Sequence, residues 1–125
     1  MAGYAGNIEE ATLQNNYFRQ VIYTGKQAQL VVMCLKPGEE IGLEVHPTTD
    51  QFFRFEQGEG KVIIDGNEHA VGDGSAVMVP GGSQHNVINT SPDQDLKLYT
   101  IYSPPNHPDG TIHKTKAEAS AYEHE

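Results

Sequence analysis

The chain has 125 residues, a formal net charge of −9 and a single cysteine. This length predicts one domain over residues 1–125, because a second core would need a longer chain. The acidic charge disfavours nonspecific binding to nucleic acid or to an anionic lipid surface. No apolar run reaches the roughly 18 residues that a membrane-spanning helix needs. We therefore expect neither nucleic acid nor a membrane as a partner.

The single cysteine, Cys34, lies in the apolar run from Leu30 to Leu35. It cannot form a disulfide within the chain, so an oxidising compartment is not indicated. A small buried core residue is the simplest interpretation, because no base or positive charge adjoins it in the sequence. No signal peptide pattern opens the chain, and the sequence predicts the cytoplasm.

The first sixteen residues are polar and mixed, and Gly3 and Gly6 argue against an early helix. We interpret residues 1–16 as an arm, with an edge strand as one option. The following residues form short segments rich in β-branched and aromatic side chains. The predicted strands are Tyr17 to Thr24, Gln29 to Leu35, Ile41 to His46, Gln51 to Glu56, Lys61 to Ile64, Asn67 to Val71, Ser75 to Val79, His85 to Asn89 and Asp95 to Tyr102.

Glycine-rich turns separate these strands, and Asp65-Gly66 predicts a type I′ hairpin. The pattern favours an all-β closed barrel or jelly roll, whose interior can hold a small ligand. Its core covers about residues 17–103, and residues 104–125 form an extended tail. The tail has one short predicted helix, from Lys116 to Tyr122.

The candidate metal-binding side chains lie on three of these strands. Strand alternation places Glu44 and His46 on one face. Gln51 shares the inward face of its strand with two phenylalanines, and His85 faces inward from a later strand. Two imidazoles and one carboxylate suit Fe(II) and related divalent ions, and Gln51 can add an amide oxygen. The alternative is that these are surface groups, or polar groups satisfied within the core.

Other polar residues have simpler interpretations. Asn89 is expected to fix a strand end by hydrogen bonding, and Met78 is expected in the barrel core. Tyr102 is interpreted as a packed tyrosine, although it can also reach the site. His107 and His113 are interpreted as a solvated turn, with a tail folded over the barrel mouth as the alternative.

Residues 38–89 resemble the two motifs of the cupin superfamily. The first motif is a glycine, five residues, His-x-His, three or four residues, Glu, six residues and a glycine. Its positions are occupied by Gly38, Glu44, His46, Gln51 and Gly58. The second motif, Gly, five residues, Pro-x-Gly, two residues, His, three residues and Asn, is matched at every position. These residues are Gly74, Pro80, Gly82, His85 and Asn89.

Two positions depart from the cupin pattern. Glu44 stands where the first histidine is usual, and Gln51 stands where the glutamate is usual. The site keeps two histidines and one carboxylate, but an amide oxygen is a weaker donor than a carboxylate. The resemblance implies a divalent ion (Fe, Mn, Zn or Ni) bound by Glu44, His46, Gln51 and His85.

The resemblance also implies the possible functions. The first is a metal-dependent enzyme acting on a small oxygenated metabolite, as a sugar or keto-acid isomerase or as a dioxygenase. The alternative is a non-catalytic cupin that binds or senses a small molecule and has a structural metal. Small cupins are commonly homodimers, and the outward side chains of Gln51 to Glu56 fit a sheet face that needs covering.

Overall fold

The structure, a computed structural model, describes residues 2–123. Within these residues, ten strands form two antiparallel sheets flanked by two short helices. The strands β1 to β10 are Arg19–Thr24, Gln29–Leu35, Glu44–Val45, Asp50–Gln57, Gly60–Ile64, Asn67–Val71, Ala76–Val79, Gln84–Asn89, Leu96–Ser103 and Ile112–His113. The helices are α1, Ile8–Gln14, and α2, Lys116–Glu123. Neither helix is long and apolar enough to cross a membrane.

The larger sheet has the order β10-β1-β2-β9-β4-β7, and the smaller has the order β3-β8-β5-β6. Inward-facing side chains of the two sheets form the hydrophobic core, as strand alternation requires. The predicted all-β jelly roll is therefore confirmed. The fully buried members of the hydrophobic core include Val31, Leu35, Phe53, Val62, Val87 and Leu96.

Two rows of cross-strand neighbours describe the inner face of the larger sheet. We call Gln29, Tyr102 and Gln51 the mouth row, since these buried residues pair across β2, β9 and β4. Met33, Leu98 and Phe55 pair across the same strands four residues away and form the floor row. The interior thus changes from polar to apolar along its length.

Turn chemistry fixes the strand connections. Asp65 and Gly66 have φ angles of 49° and 84° between β5 and β6, as predicted for a type I′ turn. Gly58 has a φ angle of 104°, and a Cβ there would lie 2.6 Å from the carbonyl oxygen of Asp95. Only glycine fits that position, which explains one of the glycines in the motif.

The prediction of a non-helical arm over residues 1–16 is wrong, because α1 occupies Ile8–Gln14. Gly3 and Gly6 precede the helix and do not interrupt it. Asn7 caps it, since its side-chain oxygen accepts a hydrogen bond of 2.9 Å from the Glu10 N–H. Lys97 Nζ donates to the Leu13 carbonyl at 2.7 Å, which fixes the other end of the helix to β9.

Two predictions about the middle of the chain also need correction. The strand expected from Ile41 to His46 is reduced to Glu44–Val45, because Gly42 has a φ angle of 108° and bends the chain before it. Met78 was expected in the core but is 60% exposed. It lies opposite Phe52 on the outer face of the larger sheet, while Val77 and Val79 face inward.

The solvated turn that was preferred for the tail is present only at residues 108–110, which are exposed. The two histidines for which it was predicted are not solvated, since His107 is half-buried and His113 is buried. The tail residues Ile112–His113 form β10, which pairs with β1. The alternative was a tail folded over the barrel mouth, and the backbone of His107 is hydrogen-bonded to Gln29 of the mouth row. The predicted helix near Lys116 is confirmed as α2, and residues 124 and 125 of the predicted tail lie outside the described residues.

The cysteine prediction is confirmed. Cys34 is buried in β2, and no other cysteine occurs in the sequence. Burial, followed by the negative charge of Asp95, raises the pKa of its thiol to about 11. A thiol with such a pKa stays protonated and unreactive near neutral pH.

Candidate metal centre

The register between β3 and β8 brings two potential ligands together. Glu44 lies directly opposite His85, and directly opposed side chains in an antiparallel pair are close neighbours. His46 follows β3 by one residue and shares the face of Glu44. The ligand atoms of Glu44, His46 and His85 all lie within 4.8 Å of one another, an arrangement that could hold a metal ion.

His46 has a buried nitrogen that no described residue satisfies. Its Nε2 has no hydrogen-bond partner among the described residues, and the nearest carboxylate oxygen, Oε1 of Glu44, is 3.9 Å away. Burial lowers the pKa of His46, and positive charge at His85 and Arg19 lowers it further. The ring is therefore neutral near pH 7, with a nitrogen lone pair available to a cation.

His85 has contacts that one neutral imidazole cannot satisfy alone. Its Nδ1 lies 3.3 Å from the Ser83 carbonyl, and its Nε2 lies 3.1 Å from Oε1 of Gln51. Both neighbours are acceptors, but a neutral ring has only one N–H. Burial lowers the pKa of His85, which disfavours the doubly protonated form. A metal ion bound to Nε2 and the Gln51 oxygen would resolve this conflict and leave Nδ1–H for Ser83.

Gln51 is held with its carbonyl oxygen toward the site. Its Nε2 donates a hydrogen bond of 3.0 Å to the hydroxyl oxygen of Thr100, so its Oε1 is the atom that faces His85. Phe53 follows on the same face and packs its ring edge against His85 at a centroid distance of 6.2 Å. Gln51 and Phe53 therefore both face inward, as strand alternation predicted.

The structure brings all four sequence-predicted site residues to one place. The residues Glu44, His46 and His85 form the compact cluster, and Gln51 joins it through His85. The orphaned His46 nitrogen and the two-acceptor environment of His85 fit a divalent cation. The binding of metal by these four residues stays a prediction.

The site is open on the side of β3. The side chain of Glu44 retains 23% of its exposure and that of His46 retains 11%, whereas His85 and Gln51 are buried. A small molecule can therefore approach the cluster from the Glu44 side. The other side of the cluster consists of the buried residues His85 and Gln51.

Tyr102 and His107 form a second layer beside the cluster. The Tyr102 ring meets His46 edge-on at a centroid distance of 5.8 Å, and its hydroxyl lies 3.3 Å from Nε2 of His107. Burial, followed by the positive charges of Arg19, His113 and His46, lowers the pKa of His107 to about 3. The interpretation of Tyr102 as packed is correct, and it also borders the site.

One buried glutamine holds this part of the tail in place. Oε1 of Gln29 accepts hydrogen bonds from the backbone N–H groups of Asn106 and His107, at 3.1 and 3.0 Å. Its Nε2 donates to the His107 carbonyl at 2.8 Å and to the Thr24 hydroxyl at 3.0 Å. The tail is thus fixed against the mouth row by a single side chain that uses both its donors and its acceptor.

Sequence reasoning did not identify Gln29 or Arg19. Both lie on predicted strands, and both alternate with apolar residues that face inward: Gln29 with Val31, and Arg19 with Val21. A polar residue that shares a face with core residues is the signal that could have found them. Asn89, in contrast, behaves as predicted, since its Nδ2 donates to the carbonyls of Leu35 and Gln94.

A model of the cupin domain family matches residues 31–102, more than half of the chain. The chain therefore belongs to the cupin family, as the motifs indicated.

Three relatives give the scale of the similarity. The chain is 53% identical over 123 residues to the uncharacterized protein YrkC of Bacillus subtilis, covering 94% of this chain and 66% of that protein. It is 45% identical over 112 residues to an uncharacterized protein of Acanthamoeba polyphaga mimivirus, covering 87% of this chain and 70% of the viral protein. The crystal structure of BH2720 from Bacillus halodurans matches with a TM-score of 0.91 and 44% identity, covering 94% of this chain and 93% of that chain. The chain thus spans about two thirds of the length of the Bacillus subtilis relative.

Proposed function

We propose that this cupin is a metal-dependent enzyme that acts on a small oxygenated metabolite. Glu44, His46 and His85 would hold a divalent ion, with Gln51 as the fourth ligand. The observation that carries the proposal is the buried Nε2 of His46, which has no hydrogen-bond partner among the described residues. This nitrogen lies next to the carboxylate of Glu44 and the imidazole of His85. Leaving a buried polar atom unsatisfied costs about 1–3 kcal/mol, a cost that a bound cation removes.

The ligand types narrow the metal and the reaction. Two imidazoles, one carboxylate and one amide oxygen suit Fe(II), Mn(II), Ni(II) or Zn(II). An ion bound there would supply Lewis acidity toward a carbonyl or enolate oxygen, or redox chemistry with dioxygen. Isomerisation of a sugar or keto acid and dioxygenation are the two reaction classes that we propose.

The protein side chains around the cluster would control protons and water. Tyr102 O–H and the His107 ring lie 3.3 Å apart beside His46, so this pair can hold a proton at the edge of the site. Phe53 and Val87 are buried apolar residues that follow Gln51 and His85 on the inward faces of their strands, and they would exclude water from beneath the cluster. Substrate would enter where Glu44 is partly exposed.

The alternative function is a binding or sensing cupin with a structural metal. The observation in its favour is the contact of 3.1 Å between Gln51 Oε1 and His85 Nε2, which places a fourth potential protein ligand at the cluster. Four protein ligands in a closed tetrahedral site are typical of structural metals, whereas catalytic sites keep a position for water or substrate.

Water exchange on the metal-loaded protein separates the two functions. The protein would be loaded with Mn(II), and the longitudinal relaxation rate of water protons would be measured at several magnetic fields. An enzyme site predicts at least one rapidly exchanging water on the bound ion. A relaxation rate no higher than that expected for an ion without a bound water would contradict the enzyme function. It would support a structural metal.

We also infer a homodimer that uses the outer face of the larger sheet. A row of cross-strand neighbours there is apolar across five adjacent strands, a width of about 20 Å. Its members are Met78, Phe52, Ile101, Leu30 and Tyr23. An apolar row of this size fits a surface that another chain covers. Separately, we propose that the protein is located in the cytoplasm, with which its buried free cysteine is compatible.

Sedimentation at micromolar concentration tests the dimer. Met78→Glu is expected to shift the protein toward monomer, because Met78 is largely exposed and a carboxylate would enter the interface. Leu13→Glu is the matched control, since Leu13 is an exposed apolar residue on α1, away from the row. A wild-type protein that sediments as a monomer would rule the dimer out.

A further inference from the structure

The apolar outer face of the larger sheet has a projecting side chain at one end. The outer row crosses β7, β4, β9, β2 and β1, and its members are Met78, Phe52, Ile101, Leu30 and Tyr23. Met78 is 60% exposed, whereas the other four members are half-buried. Methionine is flexible and fits irregular apolar surfaces. This end of the outer row therefore offers a side chain that can fill a cleft on another molecule.

The opposite end of the outer row contains such a cleft. Tyr23, Leu30 and Ile101 line a mainly apolar cleft of about 380 Å³, together with Gln27 and Ala28 from the loop between β1 and β2. The cleft has room for a methionine side chain. The two ends of the outer row are therefore complementary in shape and in polarity.

The projection and the cleft lie at equal distances from the middle of the row. Ile101 is on β9, which has β4 and β7 on one side and β2 and β1 on the other. Neighbouring strands are about 4.8 Å apart, so Met78 and Tyr23 each lie about 10 Å from Ile101 across the sheet. If two larger sheets stack face to face around a two-fold axis parallel to β9, Met78 of each copy lies over the cleft of the other.

A two-fold axis parallel to the row would not use this complementarity. It would place Met78 over the Met78 of the second copy, and one cleft over the other. The two projections would hold the sheets apart at one end, and the two clefts would leave a void at the other. Stacked sheets pack with interdigitated side chains about 10 Å thick, which favours the axis parallel to β9.

The charges beside the outer row favour the same arrangement. The chain carries a net charge of −9, so two copies repel each other unless the faces that meet are neutral or complementary. On this face, Arg54 and Glu56 pair with each other at 3.1 Å. Asp50 is exposed at the mouth end of β4, and Lys26 is exposed in the loop at the mouth end of β2. An axis parallel to β9 places β4 over β2 of the second copy, so that Asp50 comes near its Lys26.

We propose that the cleft is occupied by Met78 of a second copy, in a dimer whose two-fold axis runs parallel to β9. This inference rests on the homodimer proposed above and adds which residues meet in it. Each copy inserts Met78 against Tyr23 and Leu30 of the other and receives the other's Met78 in its own cleft. The contact is isologous, so it closes with two copies.

Cross-linking of co-expressed variants tests this arrangement. Met78→Cys and Tyr23→Cys would be expressed separately and together, and treated with a bis-maleimide shorter than the outer row. The native Cys34 is buried and offers no accessible thiol. The co-expressed pair is expected to give a covalent dimer, because positions 78 and 23 of different copies face each other. Each variant alone is expected to give none, because its two introduced thiols would be about 20 Å apart.

Two further variants make the test specific. Leu43→Cys co-expressed with Tyr23→Cys is the matched control, since Leu43 is 66% exposed but lies just before β3 of the smaller sheet. This control should give no cross-link above background. Gln27→Cys, in the exposed loop that lines the cleft, replaces Tyr23→Cys if the latter does not fold.

The outcomes separate this inference from the homodimer beneath it. Three results in a protein that sediments as a dimer overturn the arrangement alone. They are cross-linking of Met78→Cys with itself, no cross-link between Met78→Cys and the cleft variant, and a control cross-link as strong as that of the pair. Wild-type protein that sediments as a monomer at micromolar concentration overturns the homodimer and with it this inference.

Discussion

The floor and the mouth of the barrel are built on the same three strands but have opposite character. The floor row consists of Met33, Leu98 and Phe55, all fully buried and apolar. The mouth row consists of Gln29, Tyr102 and Gln51, which are also buried but make hydrogen bonds. Strand alternation buries both rows alike, so the two rows differ only in whether their side chains are apolar or polar.

This difference separates stability from function within one domain. The floor removes apolar surface from water, at about 25 cal/mol for each Å² buried. The mouth row uses its buried positions for polar groups, and Nε2 of the neighbouring His46 has no hydrogen-bond partner in the part of the chain that the structure describes. Proteins commonly accept such costs at functional sites. We therefore expect changes at the floor to reduce stability and changes at the mouth to alter binding.

Phe55→Ala should produce the largest loss of stability. Phe55 is fully buried and stacks on Phe53 at a centroid distance of 6.3 Å, so the free energy of unfolding should fall by about 3–5 kcal/mol. The control is Leu43→Ala, because Leu43 is 66% exposed and lies outside the proposed dimer surface, so the loss should be about 0.5 kcal/mol or less. Urea denaturation measures both, and equal losses would remove the distinction between floor and surface.

Loss of a ligand at the mouth should abolish metal binding. His46→Ala and His85→Ala should each weaken the affinity for Zn(II) by more than about 100-fold. His107→Ala and the exposed His69→Ala should keep wild-type affinity, because neither ring belongs to the cluster. Competition with a chromophoric chelator measures the four affinities. Equal metal content in all four variants would contradict the assignment.

Gln29→Ala should release the tail from the mouth. It removes hydrogen bonds to the backbone of Asn106 and His107, at an expected cost of about 1–3 kcal/mol. The pKa of His107 should then rise from about 3 toward the ordinary value of about 6.5. Proton NMR titration of the His107 ring reports this shift, with the exposed Gln27→Ala as the control. An unchanged His107 pKa in Gln29→Ala would show that the clamp is not needed.

The smallest effect concerns pH. Burial holds the pKa of His107 at about 3, below its unfolded value, so the unfolded chain binds more protons as the pH falls below about 6.5. The stability from the neutral ring is present above that pH and is lost as the pH falls toward 3. The lowered pKa values of His46 and His85 act in the same direction. In metal-free protein, His107→Gln should show a shallower loss of stability between pH 6.5 and 5 than wild type does, and a parallel profile would contradict this account.

The sequence was sufficient for the fold and the cluster because local rules determine both. Strand alternation placed Gln51, Phe53 and Phe55 inward, and motif spacing placed His85 near Glu44. The residue types of the cluster and its resemblance to the cupin motifs together indicated a divalent ion, and metal binding itself stays a prediction. These features depend on periodicity and turn residues, which a single sequence carries.

The features that were missed depend on contacts between distant parts of the chain. His113 is buried because β10 pairs with β1, more than 90 residues earlier, and nothing near His113 in the sequence indicates that pairing. Arg19 is enclosed by the same contact. Helix α1 was missed because its glycines lie just before its N-cap, where they do not break it. Pairing between distant strands, such as that of β10 with β1, overrides local propensity.

Elemental analysis of protein purified without chelators or an affinity-tag metal tests the central claim most directly. The cluster of Glu44, His46 and His85 with Gln51 predicts about one Fe, Mn, Ni or Zn ion per chain. The identity of that metal would direct the assays, with iron favouring dioxygen chemistry and zinc or manganese favouring isomerisation. Protein that contains no metal and takes up none when these ions are supplied would contradict the metal-dependent function.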